Sequence, residues 1–204
     1  GPVTADAWFL DMENTFNTYT VGAKAATKAA GIDLTADARF ASLTFDKDVA
    51  AALRTSISET TAVEKDNSMI KLVLTADAGL IDGKVAYAKT GKDGGLTALD
   101  NDASTTLLGW NLTANGKADA DYWQAVVGVD ILSNLNLSAN YGNLQYIKLA
   151  NSATEITEEE VYAQLLYKMS KNLSTYVRYG TYTSENTTKD KQVKDQSLGR
   201  LQVE

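Results

Sequence analysis

The sequence YWQAVVGVDIL, residues 122–132, alternates between two kinds of side chain. Every second residue from Trp123 to Ile131 is apolar, whereas the positions between them include the polar residues Gln124 and Asp130. A period of two is typical of a β-strand, because successive side chains of a strand point to opposite faces of the sheet. The segment therefore predicts a strand with one apolar and one polar face.

The same alternation recurs along the chain. In the first of these segments the facing is ambiguous, because Trp8 and Leu10 share a face with Asp6. About ten antiparallel strands are expected, near 3–12, 18–25, 32–40, 70–77, 84–88, 122–132, 135–142, 160–169, 173–180 and 200–204.

The connections between these segments differ in length in a regular way. Short turns are expected near 29–31, 79–82, 133–134 and 170–172, and long polar loops near 44–66, 91–120, 147–157 and 185–195. On the long-loop side only the hairpin near 13–16 is short. Short turns at one rim and long loops at the other are typical of an outer-membrane β-barrel with extracellular long loops.

The pattern predicts an all-β fold formed by a single domain, residues 1–204. The fold is an antiparallel up-and-down transmembrane β-barrel, or about ten strands of a larger barrel. Two stretches do not alternate. Residues 48–57 have the composition of a short helix inside a loop, and the apolar residues 107–112 are placed within the long loop.

Composition excludes several classes of function. The 204 residues include no Cys and no His, which rules out a Cys nucleophile, a zinc site of Cys or His ligands, and a Ser-His-Asp triad. The net charge of −7 argues against nucleic-acid binding. We expect no enzyme activity and no cofactor. No apolar run is long enough for a transmembrane helix, so a bilayer would be crossed by strands alone.

The C-terminal part of the chain carries a family resemblance. The residues concerned are LLYKMSKNLS at 165–174, YVRY at 176–179 and RLQV at 200–203. From Tyr122 to Glu204 the chain resembles the C-terminal part of the major outer membrane porins of epsilonproteobacteria, the Campylobacter-type family. The resemblance implies a barrel of about eighteen strands, usually a homotrimer, that passes ions and small hydrophilic solutes.

The chain departs from that family in two respects. It supplies only about ten strands, and it ends at Glu204, where the family continues to a terminal aromatic residue. No signal-peptide pattern precedes the first strand. We therefore expect a processed chain or a fragment.

These observations predict a porin or porin fragment in the bacterial outer membrane. It would act as a passive diffusion channel for ions and small hydrophilic solutes, with lipid and lipopolysaccharide against its apolar face. The alternative is a soluble or cell-surface β-rich binding or structural domain, of the adhesin or surface-layer type. In such a domain the apolar faces would pack against each other.

Charged residues at the polar positions of the strands are the candidates for lining a pore. A ring of charge changes ion preference, because a passing ion loses part of its hydration near the wall. In the alternative interpretation the same charges only solvate one face of a sheet. The candidates are Arg39, Lys71, Lys84, Arg178, Arg200, Asp33, Asp37, Asp77 and Asp130.

Two groups of carboxylates have the hard oxygen ligands that suit calcium. They are Glu155 with Glu158–Glu160, and Asp93 with Asp100 and Asp102. The spacing of an EF-hand is missing from both, and the interpretation preferred for them is solvated loop charge. Glycosidase carboxylates would need aromatic subsites that are not evident. The glycine-rich residues 91–95 lack the spacing of a phosphate loop.

Overall fold

The computed structural model describes residues 3–56, 64–98, 105–147, 154–189 and 191–204. Ten antiparallel strands form one sheet, in which each strand pairs with the next along the chain. This confirms the predicted all-β, up-and-down arrangement. The strands are β1 Val3–Met12, β2 Phe16–Ala29, β3 Ile32–Phe45, β4 Asp66–Asp77, β5 Ile81–Thr90, β6 Ala118–Leu132, β7 Leu135–Ile147, β8 Glu155–Ser170, β9 Leu173–Asn186 and β10 Lys191–Val203.

Tight turns join the strands at one rim of the sheet. They follow β2, β4, β6 and β8, and Gly31 and Gly79 have φ angles of 83° and 90° there. Such positive φ angles favour glycine, which has no Cβ to clash with the backbone. Strands β3, β5 and β7 end at the opposite rim, where the longer connections begin.

The connection after β3 contains the helix α1, Lys47–Ser56. The sequence predicted a helix over 48–57, of which residue 57 lies outside the described residues. None of the helices within the described ranges is long and apolar enough to cross a membrane.

The expected long loop near 185–195 is wrong in extent. Strand β9 continues to Asn186 and β10 begins at Lys191, with the 3₁₀ turn Thr187–Lys189 between them. Apart from Val193, the residues of both strand ends are polar, so hydrophobic periodicity does not reveal them. Backbone pairing needs no apolar side chains, and Lys191 pairs with Asn186.

The apolar face of the sheet is open, while its polar face is largely covered. Trp123, Val127 and Leu165 are 52%, 60% and 39% exposed. On the other face Gln124 and Glu160 are 4% and 1% exposed. A sheet folded in water buries its apolar side, so this arrangement is inverted. All described strands belong to one sheet, and no second sheet among them covers the apolar face.

The register of β1 resolves the facing of the first strand. Asp6 pairs with Gly22 and Trp8 with Thr20, so Trp8 and Leu10 share the polar face with Asp6. Their outward neighbour Phe9 is 71% exposed on the apolar face.

Candidate pore-lining surface

All nine charged residues predicted as pore-lining lie on the polar face of the sheet. The pairing register fixes this, because directly paired residues of neighbouring strands share a face. Arg39 pairs with Lys71, and Arg178 pairs with Arg200. Lys84 pairs with Val126, next to Gln124 on the same face. The structure thus places the nine on one surface, although not in one ring.

Arg39 is the centre of a charged group on strands β1 and β3. Its Nη1 lies 2.8 Å from Asp6 Oδ1, and its Nε lies 3.2 Å from Asp37 Oδ1. Sequence reasoning named Arg39 and Asp37 but missed Asp6. The strand containing Asp6 carries Trp8 and Leu10 on the same side, which hid its polar face.

Arg178 and Arg200 form a second group, together with aromatic rings. The guanidinium carbon of Arg178 lies 4.4 Å from the ring centre of Tyr176 and 5.6 Å from that of Tyr162. Arg200 lies 5.9 Å from the ring centre of Trp110. Such contacts favour a cation over an aromatic face and fix the direction of the two guanidinium groups.

Three of the predicted acidic residues lie at the short-turn rim and bind neighbouring groups there. Asp33 pairs with Lys28 at 3.0 Å, where both side chains are exposed. Asp77 accepts a hydrogen bond of 2.8 Å from the backbone N–H of Gly79. Asp130 accepts one of 2.8 Å from Asn136. Their carboxylates are therefore engaged in local structure, away from the basic groups elsewhere on the polar face.

The apolar stretch 107–112 folds onto the polar face. Gly109 N donates to Leu112 O at 2.8 Å and Ala114 N donates to Leu107 O at 3.1 Å, which closes a small hairpin over residues 107–114, here named the inward hairpin. Leu107, Leu112 and Ala114 are buried. They form one hydrophobic cluster with side chains of the sheet, among them Met69, Tyr122 and Leu144. A loop that contacts only water does not bury apolar side chains. The apolar composition of residues 107–112 was therefore a sign in the sequence that this part of the loop packs against the sheet.

Polar side chains of the wall also bind the inward hairpin and the residues before it. Gln124 Nε2 donates to Leu108 O at 2.9 Å. Lys71 Nζ donates to Thr106 O at 3.4 Å. Lys71 was predicted as a pore-lining charge. It is only 8% exposed, and its ammonium group binds the residues before the inward hairpin.

Glu160 makes the most extensive of these contacts. Its carboxylate accepts hydrogen bonds from the backbone N–H groups of Trp110 and Asn111, each at 2.8 Å. The preferred interpretation of Glu155 and Glu158–Glu160 as solvated loop charge is wrong in its placement, because all four lie within β8. It is also wrong about solvation for Glu160, which is 1% exposed. Asp100 and Asp102, from the other carboxylate group, lie outside the described residues.

A further polar group lies where the long connections begin. Tyr146 Oη donates to Glu158 Oε1 at 2.9 Å, and Lys117 Nζ lies 4.2 Å from the ring centre of Tyr146. Burial lowers the pKa of Lys117, and the negative charge of Glu158 partly opposes this shift. In the part of the chain that the structure describes, no three acidic side chains are grouped to hold a metal ion.

No family model and no curated protein sequence matches the chain. Similar solved structures are outer-membrane proteins of Pseudomonas aeruginosa. OpdL aligns with a TM-score of 0.72 at 17% identity, over 99% of this chain and 55% of its own. OpdK with vanillate aligns with a TM-score of 0.73 at 17% identity, over 99% and 51%. OprD aligns with a TM-score of 0.69 at 15% identity, over 99% and 54%.

The chain has the fold of part of an outer-membrane β-barrel. At these identities the likeness concerns the fold, and the chain spans about half the length of the three structures. The ten described strands follow one another in order across one sheet, as the strands of an up-and-down barrel do.

Proposed function

We propose that this chain forms the wall of a passive diffusion channel for ions and small hydrophilic solutes. The inverted sheet carries the proposal: the apolar side chains point away from the covered side, and charged side chains line the side that the inward hairpin occupies. Acyl chains stabilise exposed valine and leucine, whereas water does not. A soluble binding domain would need a second layer over Trp123, Val127 and Leu165.

The proposed location is the bacterial outer membrane. On the apolar face Tyr87 and Trp123 pack with ring centres 4.5 Å apart. Beside them, Lys89 and Asp121 form an ion pair of 2.8 Å on that face. Aromatic residues followed by charged ones are typical of the boundary between hydrocarbon and lipid headgroups. Lipid and lipopolysaccharide are therefore the proposed partners of this face.

The resemblance to epsilonproteobacterial porins supports a finer proposal. We infer a homotrimeric porin of that type, of which this chain supplies about ten strands of the wall. The chain's similarity in fold to the Pseudomonas proteins is compatible with this assignment. The proposal includes no catalytic step.

The charges on the polar face support a preference for anions. Lys84, Arg178 and Arg200 are basic residues of the polar face. Lys71 is buried beneath the residues before the inward hairpin, and Arg39 is paired with Asp6 and Asp37. Asp33, Asp77 and Asp130 are engaged at the short-turn rim. A basic wall attracts anions and repels cations at short range. One of the similar structures, OpdK, is named with vanillate, a carboxylate.

The experiment compares the protein in detergent and in planar bilayers. A membrane barrel is expected to stay monodisperse only in detergent, to show heat-modifiable mobility on gels, and to give ohmic conductance when inserted into a bilayer. A protein that is monodisperse in plain buffer and inserts no channels would contradict the proposal and favour the surface-domain alternative.

A further inference from the structure

We propose that Glu160 is a positioning residue that fastens the inward hairpin to the wall and so sets the free cross-section of the channel. The inference rests on the proposed function for its second half only. The fastening itself is a property of the fold and is measured separately below.

The carboxylate of Glu160 binds the tip of the inward hairpin with both oxygens. Oε1 accepts from Trp110 N at 2.8 Å, and Oε2 accepts from Asn111 N at 2.8 Å and from Asn111 Nδ2 at 3.3 Å. Two consecutive backbone N–H groups thus point at one carboxylate. Hydrogen bonds to an ionised acceptor are about twice as strong as neutral ones.

The burial of the Glu160 carboxylate indicates that its hydrogen bonds stabilise the position of the hairpin tip. Glu160 is 1% exposed, and a buried carboxylate is costly unless hydrogen bonds satisfy it. The two donors belong to a less buried part of the contact, since Trp110 is half-buried and Asn111 is exposed. Glu160 therefore depends on the hairpin tip for the hydrogen bonds that satisfy its buried carboxylate.

Two glycines leave the space that the contact requires. A Cβ atom at Gly109 would lie 1.8 Å from Glu160 Oε1 and 2.6 Å from Tyr122 Oη. A Cβ atom at Gly142 would lie 3.0 Å from Leu112 Cδ1 and 3.3 Å from Glu160 Cγ. Position 109 thus accepts no side chain while Glu160 holds the tip, and Gly142 opens the wall beneath the hairpin.

The contacts around the tip connect it to the basic surface. The ring of Trp110 packs edge-on against Tyr162, with ring centres 5.3 Å apart. The guanidinium carbon of Arg200 lies 5.9 Å from the Trp110 ring centre. A displaced tip would carry Trp110 away from Tyr162 and Arg200. The passage beside these residues would then change in width.

The first measurement is amide hydrogen exchange in the folded, detergent-solubilised protein. In Glu160→Gln an amide N–H₂ replaces one acceptor, so one backbone donor of the tip loses its partner. We expect the amides of the segment containing Trp110 and Asn111 to exchange about tenfold faster or more. The matched control is Glu159→Gln, because Glu159 is the neighbouring residue on the apolar face, where its carboxylate accepts a hydrogen bond of 3.4 Å from Tyr141 Oη.

A second variant approaches the same contact from the hairpin. Gly109→Ala leaves every wall residue unchanged, so it tests the proposal even where Glu160→Gln fails to fold. It is expected to raise exchange as Glu160→Gln does. The double variant is expected to add little, because both changes release the same tip.

The second measurement is single-channel current in planar bilayers. A released hairpin moves within the lumen and closes the channel more often. In both variants we therefore expect the frequency of closing events to be at least about tenfold that of the unaltered protein and of Glu159→Gln. Unchanged exchange in both variants overturns the fastening. Faster exchange with an unchanged current trace overturns the effect on the cross-section. Failure of the unaltered protein to conduct at all overturns the proposed function while the exchange result still decides the fastening.

Discussion

Asp6 of β1 and Arg39 of β3 form an ion pair across the strand between them, with 2.8 Å from Oδ1 to Nη1. They meet above Gly22 of β2, which pairs with both residues in the register of the sheet. A Cβ atom at position 22 would lie 2.8 Å from Asp6 Oδ2 and 2.9 Å from Arg39 Nη1. The missing side chain therefore allows two strands that are not neighbours to share an ion pair.

We expect Gly22→Val to separate Asp6 from Arg39. Both side chains are partly buried, so the loss should lower the free energy of unfolding by about 1–2 kcal/mol. Urea unfolding of the protein refolded in detergent micelles measures the change. The control is Ala23→Val on the apolar face. A Gly22→Val protein as stable as the control would show that the ion pair does not stabilise the sheet.

Apart from β1, the faces of the strands were predictable from the sequence, because alternation such as that from Trp123 to Ile131 shows which side chains share a face. The Asp6–Arg39 pair was not predictable, because it depends on the register of three strands and on Gly22, which lies on the strand between the two residues. Glu160 was misread for a related reason. A glutamate beside two others looks solvated until the partner that buries it, a hairpin some fifty residues earlier, is known to fold inward.

A lysine on the apolar face tests whether that face meets lipid. Val127 is 60% exposed, so Val127→Lys would be harmless if the face were in water. Against acyl chains the same change is expected to lower the free energy of unfolding by about 2–4 kcal/mol near the middle of the bilayer. Unfolding from lipid vesicles measures this cost.

The control for that experiment is Val126→Lys, the adjacent residue on the polar face. Its partner in the register is Lys84, so a cost below about 1 kcal/mol from like charge is expected. Equal costs at 126 and 127 would contradict a lipid-facing surface.

Neutralising the arginines of β9 and β10 is expected to change ion preference. Arg178→Gln with Arg200→Gln removes two positive charges from the polar face, and the permeability of chloride relative to potassium should fall by about twofold or more. The reversal potential across a bilayer with a salt gradient measures the ratio. Lys89→Gln is the control, because it removes a positive charge on the apolar face. The prediction fails if the control moves the ratio as far as the double variant does.

Lys117 is expected to make stability depend on pH in the alkaline range. Burial lowers its pKa in the folded protein below the ordinary value of 10.5, and Nζ lies 4.2 Å from the ring centre of Tyr146. Between the lowered pKa and 10.5 the unfolded chain binds more protons than the folded one. The free energy of unfolding therefore rises with pH through this window, and the gain is lost as pH falls through the folded pKa.

The measurement compares the unaltered protein with Lys117→Met, which keeps an apolar side chain near Tyr146 but does not titrate. Tyrosines also ionise at alkaline pH, so the informative quantity is the difference in unfolding free energy between the two proteins. That difference should shift in favour of the unaltered protein as pH approaches 10.5. Lys171→Met, at the β8–β9 turn, controls for the loss of one positive charge. A pH-independent difference for Lys117→Met would mean that burial imposes no cost on the charged lysine.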